Sequence, residues 1–230
     1  ILMFFFMLFW AFFEQAGSSV SNFTDRNVNR TSGGRVITQA DVGQTIELEL
    51  GQAQLGYKNG QEVITMTVLD QARKDKKTKV SWLVSADQVG MVADGKEMPA
   101  STFQAANAIF IVVLGLIFSA LWGFLASRKL EPSTPVKFSL GLIQLGQGFV
   151  SFWYGAAHPD ARGMVFVGWL LLGYLLQTIG ELCLSPVGLS MVTKLSPARM
   201  VSTVMGAWFL ATAFSNYLAG MIASLTGVSG

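Results

Sequence analysis

Two glutamates stand inside long apolar runs of the sequence: Glu14 in the run from Ile1 to about Phe23, and Glu181 in the run from Gly163 to Thr193. An ionisable side chain at the centre of a membrane helix costs at least ~2.5 kcal/mol, so each must face protein or water. A carboxyl group held there can bind a proton or a cationic group in turn, because desolvation favours its neutral form and a nearby cation favours its charged form. We therefore expect Glu14 and Glu181 to line a transport pathway rather than to form a structural ion pair.

The polar residues around Glu181 share one face of a helix. They stand three, four or seven positions from it: Tyr174, Gln177, Thr178, Ser185 and Gly188. Pro186 comes directly after this face, and a proline inside a membrane helix removes one backbone hydrogen bond and permits a bend. A bend beside a carboxylate is typical of a helix that moves.

Three other apolar runs also carry a polar face. Glu14 and Ser18 are four residues apart, and Gln104 and Asn107 are three apart, so each pair shares a helix face. In the last run a tryptophan and three polar residues follow helical spacing: Trp208, Thr212, Ser215 and Asn216. Neutral polar residues also join helices in any membrane bundle, so a packing role and a pathway role are equally open for them.

The composition indicates a membrane protein. Of the 230 residues, 51% are apolar and 13% are charged, whereas soluble domains carry about a quarter charged residues. Five segments reach or approach the roughly 20 apolar residues that span a bilayer as a helix: Ile1 to about Phe23, Phe103–Ala126, Phe138–Ala157, Gly163–Thr193 and Met200–Thr226. The net charge of +2, without a basic cluster, excludes a nucleic-acid partner. A single cysteine, Cys183, excludes a disulfide framework.

The short loops predict the orientation, because Lys and Arg stay preferentially in the cytoplasm. The loop after the second span carries Arg128, Lys129 and Lys137 and is expected inside, as is the loop that carries Lys194. The stretch 30–99 then lies on the periplasmic or extracellular side. The sequence begins within one apolar run and ends just after another, so we expect a part of a longer chain.

Residues 30–99 are predicted to form a small β-rich insertion. TIELEL and ITMTV alternate apolar and polar side chains, and KVSWLVS offers a third strand. Asn59-Gly60 predicts a hairpin turn. We expect three to five strands and no ligand site. The prediction is an all-α membrane protein with five transmembrane helices, divided into residues 1–29, the extramembrane insertion 30–99, and residues 100–230.

Several segments resemble the proton-dependent oligopeptide transporters, a branch of the major facilitator superfamily. They are FWAFFEQAGSS from Phe9, PASTFQAANAIFI from Pro99, LWGFLASRKLEPSTPVKFSLGL from Leu121, GELCLSPVGLSMVTKLSPAR from Gly180 and MGAWFLATAFSNYLAG from Met205. The resemblance covers all five spans but not the insertion. It implies a major facilitator carboxy-terminal helical bundle, with transmembrane helix 7 in residues 1–29 and helices 8 to 11 in residues 100–230 of a twelve-helix carrier.

The resemblance implies roles for five side chains. Glu181 is similar to the glutamate that contacts the peptide amino terminus and pairs with a lysine of the other half in an intracellular gate. Glu14 is similar to the glutamate that pairs with an arginine and takes part in proton coupling. Asn107 and Ser185 resemble residues that line the site of the peptide amino terminus, and Trp208 resembles the tryptophan of a side-chain pocket.

The implied activity is proton-coupled symport of di- and tripeptides across the plasma membrane, the inner membrane of a bacterium, by alternating access. The implied partners are these peptides, protons, the lipid bilayer and the missing amino-terminal helical bundle, which carries the ExxER motif. No metal and no cofactor other than the coupling proton is implied. Ala108 stands where the family often has a proline, which puts only a local helix bend in question.

Three other functions remain open. One is a receptor or assembly subunit that transports no solute. Another is a carrier of the same fold for another small solute, such as an amino acid, nitrate or a drug. The third, less favoured, is a membrane enzyme: His158, the single histidine, lies in a short external loop, and the sequence contains no GxSxG, HExxH or paired intramembrane aspartates.

Overall fold

The computed structural model describes residues 2–226, apart from the side chains of residues 2, 185–195 and 226. The chain divides into two units. The first contains Ile1–Phe23, Ser101–Gly155 and Gly168–Gly230, and the second contains Thr24–Ala100 and Ala156–Val167. The second unit therefore holds the expected insertion and also the loop that contains His158.

Helices form nearly all of the first unit. In chain order the helices are α1 (Leu2–Phe13), α2 (Ser19–Asn27), α3 (Met66–Lys74), α4 (Ala100–Ser127), α5 (Thr134–Ala157), α6 (Val167–Leu195) and α7 (Val201–Thr226). Of these, α3 belongs to the second unit. A 3₁₀ turn, Glu14–Gly17, separates α1 from α2.

Four stretches of the described residues are long and apolar enough to cross a membrane: Met3–Asn27, Ala100–Ser127, Val167–Leu184 and Val201–Leu225. Five had been expected. The difference is α5, whose 24 residues extend ~36 Å but include Gln144 and Gln147, which lower its hydropathy. The chain is thus a multi-pass membrane protein.

The core of the first unit is an apolar cluster shared by α1, α5, α6 and α7. Its buried members are Phe6, Phe9, Phe138, Leu145, Leu184 and Trp208. Helix α4 instead leaves large apolar side chains uncovered: Val112 is 70% exposed and Leu116 is 75% exposed. Such exposure suits a helix that faces lipid or another part of the protein.

Glycines bring α5 and α6 into close contact. Gly141 and Gly148 stand seven residues apart on α5, and Gly173 and Gly180 stand seven apart on α6. A Cβ on Gly180 would lie 2.7 Å from the carbonyl oxygen of Gly141. Small residues allow membrane helices to approach this closely and so to pack without a hydrophobic driving force.

The second unit is a set of short antiparallel ladders around one core. The strands are β1 (Thr31–Ser32), β2 (Arg35–Val36), β3 (Thr45–Glu49), β4 (Lys58–Asn59), β5 (Glu62–Val63), β6 (Lys79–Leu83), β7 (Val92–Ala93) and β8 (Lys96–Glu97). They pair as β1 with β8, β2 with β7, β3 with β6 and β4 with β5. The predicted hairpin at Asn59-Gly60 is the β4–β5 pair. Trp82 of β6, 0% exposed, lies in the centre of the core.

Two details of the insertion differ from the prediction. It contains eight strands of two to five residues rather than three to five strands. The ITMTV segment is not a strand, because Thr65 begins helix α3, and its side chain accepts a hydrogen bond of 3.3 Å from the N–H of Val68. This N-cap and the burial of Leu69 outweigh the alternating pattern.

The loop 156–167 is part of the same core, which the sequence did not indicate. Met164 is buried among the apolar residues of the insertion. Val165 accepts a 2.9 Å hydrogen bond from the N–H of Asn29, and its own N–H donates to the carbonyl of Asn27 at 2.7 Å. Asp160 accepts from the N–H of Met164 at 2.9 Å. Burial acts to raise the pKa of Asp160, but this bond and those from Arg162 outweigh it and lower the pKa.

Candidate functional site

The helix of the first span is interrupted at Glu14. Phe13 ends α1, the turn Glu14–Gly17 follows, and Ser18 has φ −125° and ψ −92°, outside helical geometry. Glycine and serine are weak helix formers because glycine loses more backbone entropy and serine competes for backbone hydrogen bonds. Glu14 is the first residue of this turn, and its side chain is exposed.

A buried glutamine next to it holds the break in place. Gln15 is 2% exposed, and its Nε2 donates to the carbonyl oxygens of Ala11 at 3.0 Å and of Ala219 at 3.1 Å. Its Oε1 accepts from the hydroxyl of Ser19 at 2.7 Å. The broken span is thereby attached to α7.

Helix α4 contributes two amides to the same region. Gln104 Nε2 donates to the hydroxyl of Ser21 at 2.8 Å, and Asn107 Nδ2 donates to the hydroxyl of Thr178 at 3.0 Å. The Thr178 hydroxyl in turn donates to the carbonyl of Tyr174 at 2.7 Å. These bonds join α4 to α2 and to α6.

Glu181 lies one turn further along α6 and is half-buried. Its Oε2 is buried and has no hydrogen-bond partner within the described part of the chain. Asn107 bonds Thr178, which stands three residues before Glu181 on α6. Glu14 and Asn107 line one cavity, so the structure brings these two together and places Glu181 one helical turn from the residue that Asn107 bonds.

A cavity of about 130 Å³ opens beside Glu14. It is lined by Phe13, Glu14, Ala16, Gly17, Gln104, Asn107, Tyr174 and Gln177. Gln177 is 1% exposed, and neither atom of its amide finds a partner among the described residues. Sequence reasoning had placed Gln177 on the polar face of Glu181 without assigning it a role.

Trp208 does not line this cavity. Trp208 is 4% exposed and packs on Phe6, with ring centroids 3.9 Å apart, inside the apolar cluster. The role implied for it stays a prediction. The side chain of Ser185 lies outside the described residues, and so does that of Pro186.

The arrangement can hold a cationic group or a proton. Glu14, Gln104, Asn107 and Gln177 line one cavity in a membrane-spanning unit, and Oε2 of Glu181 is left without a partner within the described residues. A cation or a proton would satisfy this buried oxygen.

Comparison with known proteins finds peptide transporters among the relatives of this chain. The chain is 42% identical over 142 residues to the peptide transporter YePEPT of Yersinia enterocolitica, which is 61% of this chain and 28% of that relative. It is 40% identical over 128 residues to dipeptide and tripeptide permease A of Serratia proteamaculans, which is 56% of this chain and 25% of that relative. The chain thus spans about a quarter of the length of these relatives.

Solved structures share the fold. The crystal structure of a peptide transporter POT in complex with sulfate aligns with a TM-score of 0.63 at 26% identity, over 98% of this chain and 32% of that chain. A POT family transporter in complex with 5-aminolevulinic acid aligns with a TM-score of 0.63 at 21% identity, over 97% of this chain and 34% of that chain. The sequence model of the POT family, PTR2, matches residues 76–229. This match covers more than half of the chain, and the chain therefore belongs to the POT family of transporters.

Proposed function

We propose that this chain is part of a proton-coupled carrier that imports di- and tripeptides by alternating access. The observation that carries the proposal is a cavity in a membrane-spanning unit that Glu14 and Asn107 line together, with Glu181 one helical turn from the Thr178 hydroxyl that Asn107 bonds. Relatives described as peptide transporters or permeases support the substrate class.

In the proposed cycle the two carboxyl groups bind different partners. Glu181 binds the ammonium group of the peptide through the oxygen that has no partner among the described residues. Glu14, at the helix break, takes the coupling proton. Neutralising one carboxyl group relieves the repulsion on the other, which links binding of the proton to binding of the peptide.

The neutral side chains position the substrate. Asn107 orients the Glu181 carboxyl group, and Ser185 lines the site of the ammonium group. Trp208 forms one side of a pocket for a side chain of the peptide. The remainder of the carrier, an amino-terminal bundle, supplies the cations that hold the peptide carboxylate. No bond is broken in this cycle, so the protein needs no cofactor besides the proton and is not an enzyme.

The proposed setting is the plasma membrane, the inner membrane of a bacterium. Residues 1–29 would form transmembrane helix 7 and residues 100–230 helices 8 to 11, with the insertion 30–99 on the periplasmic or extracellular face. The basic residues of the loops support this orientation, since Arg128 and Lys129 follow α4 at the end that would lie in the cytoplasm.

The test is uptake of labelled dialanine by the full-length carrier in proteoliposomes, with and without an inward proton gradient. We expect the wild type to accumulate dialanine when the gradient is present. Glu181→Gln should lose this accumulation, because a neutral amide cannot form an ion pair with the ammonium group. Glu47→Gln, at an exposed position of the insertion, is the matched control and should transport normally. Uptake of nitrate or a free amino acid in place of dialanine would overturn the peptide assignment.

A further inference from the structure

We propose that the insertion holds the ends of four helices together, and that these ends stay joined throughout the transport cycle. This inference rests on the proposed function, because it concerns how the carrier moves, and it gives the insertion a role. It starts from a junction of four residues, Val28, Arg30, Met98 and Val165, at which three separate segments of the second unit meet.

The second unit contains the ends of four helices. These ends are residues 24–27 of α2, residue 100 of α4, residues 156–157 of α5 and residue 167 of α6. The segments that connect them share one buried core, because Met164 of the α5–α6 loop lies among the apolar residues of the insertion. The helices therefore end in one folded unit and not in independent loops.

A buried backbone bridge joins α2 to the loop 156–167. Val28 follows α2 directly and pairs with Val165 in a parallel bridge, and the two residues are 0% and 3% exposed. The N–H of Asn29 donates to the carbonyl of Val165 at 2.9 Å, and the N–H of Val165 donates to the carbonyl of Asn27 at 2.7 Å. Separation of the two segments would break both hydrogen bonds and expose two apolar side chains, so it is unfavourable.

A buried arginine joins α2 to the start of α4. Arg30 is 3% exposed, and its guanidinium donates to the carbonyl oxygens of Thr24 at 3.1 Å and of Asp25 at 2.9 Å. Both carbonyls belong to the last turn of α2, where helix carbonyls have no partner within the helix. The same guanidinium donates to the carbonyl of Met98, two residues before α4 begins. Arg30 therefore attaches residue 98 to the end of α2, where its positive charge is also favourable.

These bonds restrict how the helix ends can move. In alternating access, a carrier opens first to one side of the membrane and then to the other. If the end of α2 moved away from α4 and from the loop 156–167, the Val28–Val165 bridge would break and the buried guanidinium of Arg30 would lose a partner, which is costly for a buried charge. The four ends therefore move as one body, and the distances between these helices change only away from the insertion.

The test is a disulfide that joins two of these ends permanently. Neighbouring strands lie about 4.8 Å apart, within the range of about 4.4–6.8 Å between the Cα atoms of a disulfide, so Val28→Cys and Val165→Cys can be cross-linked across the bridge. The double variant of the full-length carrier, with Cys183 and any other cysteine replaced by alanine, is placed in proteoliposomes. Proton-driven uptake of dialanine is measured after oxidation and again after reduction. Thiol labelling of the denatured protein measures the cross-linked fraction.

We expect the oxidised double variant to cross-link and to take up dialanine without loss of rate relative to its reduced form. The single variants Val28→Cys and Val165→Cys are the matched controls, since they show any effect of oxidation that does not depend on the cross-link. Loss of uptake in the oxidised double variant alone, restored by reduction, would overturn the inference, because the two ends would then have to separate during transport. Failure of the two cysteines to cross-link would contradict it as well.

A second measurement uses the wild type, and it decides the question if the reduced double variant transports poorly. Residues 24–30 and 156–167 should exchange their amide hydrogens through one common opening, and saturating dialanine should leave the protection of both segments unchanged. Loss of protection in either segment when the peptide is added would overturn the inference. Failure of the wild type to accumulate dialanine would instead refute the proposed function, and exchange without peptide would still test whether the two segments are joined.

Discussion

The side-chain amide of Gln15 donates a hydrogen bond of 3.1 Å to the backbone carbonyl of Ala219, 204 residues further along the chain. Gln15 lies in the 3₁₀ turn that interrupts the first span, and Ala219 lies on α7. Since the same amide also bonds Ala11 and Ser19, one buried side chain joins both parts of the broken helix to its neighbour. The next residue back is Glu14, so this attachment determines where that carboxylate leaves the helix.

The first prediction concerns this attachment. Gln15→Met should lower the free energy of unfolding by about 1–3 kcal/mol, because buried groups that bonded the amide lose their partner. It should also slow proton-driven uptake of dialanine, since Glu14 is no longer held in one position. Thermal unfolding of the purified full-length carrier and the initial rate of uptake measure the two effects.

The control is Gln147→Met, an exposed glutamine on α5. It also replaces a glutamine by methionine, but at an exposed position. Thermal unfolding and dialanine uptake of this variant should both match those of the wild type. An unchanged midpoint of unfolding and an unchanged rate of uptake for Gln15→Met would show that the Gln15–Ala219 bond does not hold the break.

The second prediction concerns the glycines between α5 and α6. A Cβ on Gly173 would lie 2.0 Å from Cε1 of Phe152, which is itself buried. Gly173→Ala should therefore destabilise the protein by about 1–3 kcal/mol through overpacking. The same change at Gly146 meets no described atom within 4 Å, and it should be neutral or gain up to ~1 kcal/mol of helix propensity. Thermal unfolding should give a midpoint temperature for Gly173→Ala below that of the wild type, and a midpoint for Gly146→Ala equal to or above it.

The sequence predicted those parts of the structure that depend on local pattern. The apolar runs became helices because membrane hydrocarbon leaves the backbone no other partner. The β3 and β6 segments, TIELE and KVSWL, were recognisable because their alternating residues each place one face on a core. Helical spacing also placed Gln177 and Thr178 on the same face as Glu181.

The sequence did not predict features that arise from distant contacts. That Met164 belongs to the core of the insertion depends on residues more than sixty positions away. The partners of Gln15 on α7 and the room that Gly148 leaves for Gln177 are likewise set by how helices pack. The strand predicted at ITMTV was wrong because a single N-cap, Thr65, outweighs a short alternating pattern.

The third prediction concerns acid stability of the insertion. Asp41 accepts hydrogen bonds from the N–H of Thr38 at 2.8 Å, from the Thr38 hydroxyl at 2.8 Å and from Arg35 at 2.9 Å. These bonds, the backbone bond first, lower the pKa of Asp41 below its ordinary value of 3.8. Its contribution to stability is therefore complete above that value and is lost as the pH falls from 3.8 through the lower pKa of the folded state.

Hydrogen exchange of residues 35–44 in the full-length carrier, corrected for the intrinsic effect of pH, measures this loss. Protection should decrease in the wild type below about pH 4. In Asp41→Asn the protection should be lower than in the wild type at neutral pH, and it should change less as the pH falls. Asp75→Asn, at an exposed position that ends α3, should behave as the wild type. Protection in Asp41→Asn that still falls with acid as in the wild type would assign the effect to another carboxyl group.

The fourth prediction concerns the loop that the insertion holds. Met164 is 4% exposed in the core of the second unit, so Met164→Ala should leave a cavity and cost about 2–5 kcal/mol in that unit. Phe166, two residues further and 68% exposed, gives the matched control, since Phe166→Ala removes a larger side chain from the surface. Limited proteolysis of the full-length carrier, read at cleavage sites within 24–100 and 156–167, should show faster cleavage at both segments in Met164→Ala alone. Faster cleavage confined to 156–167 would mean that the loop is not part of the insertion's cooperative core.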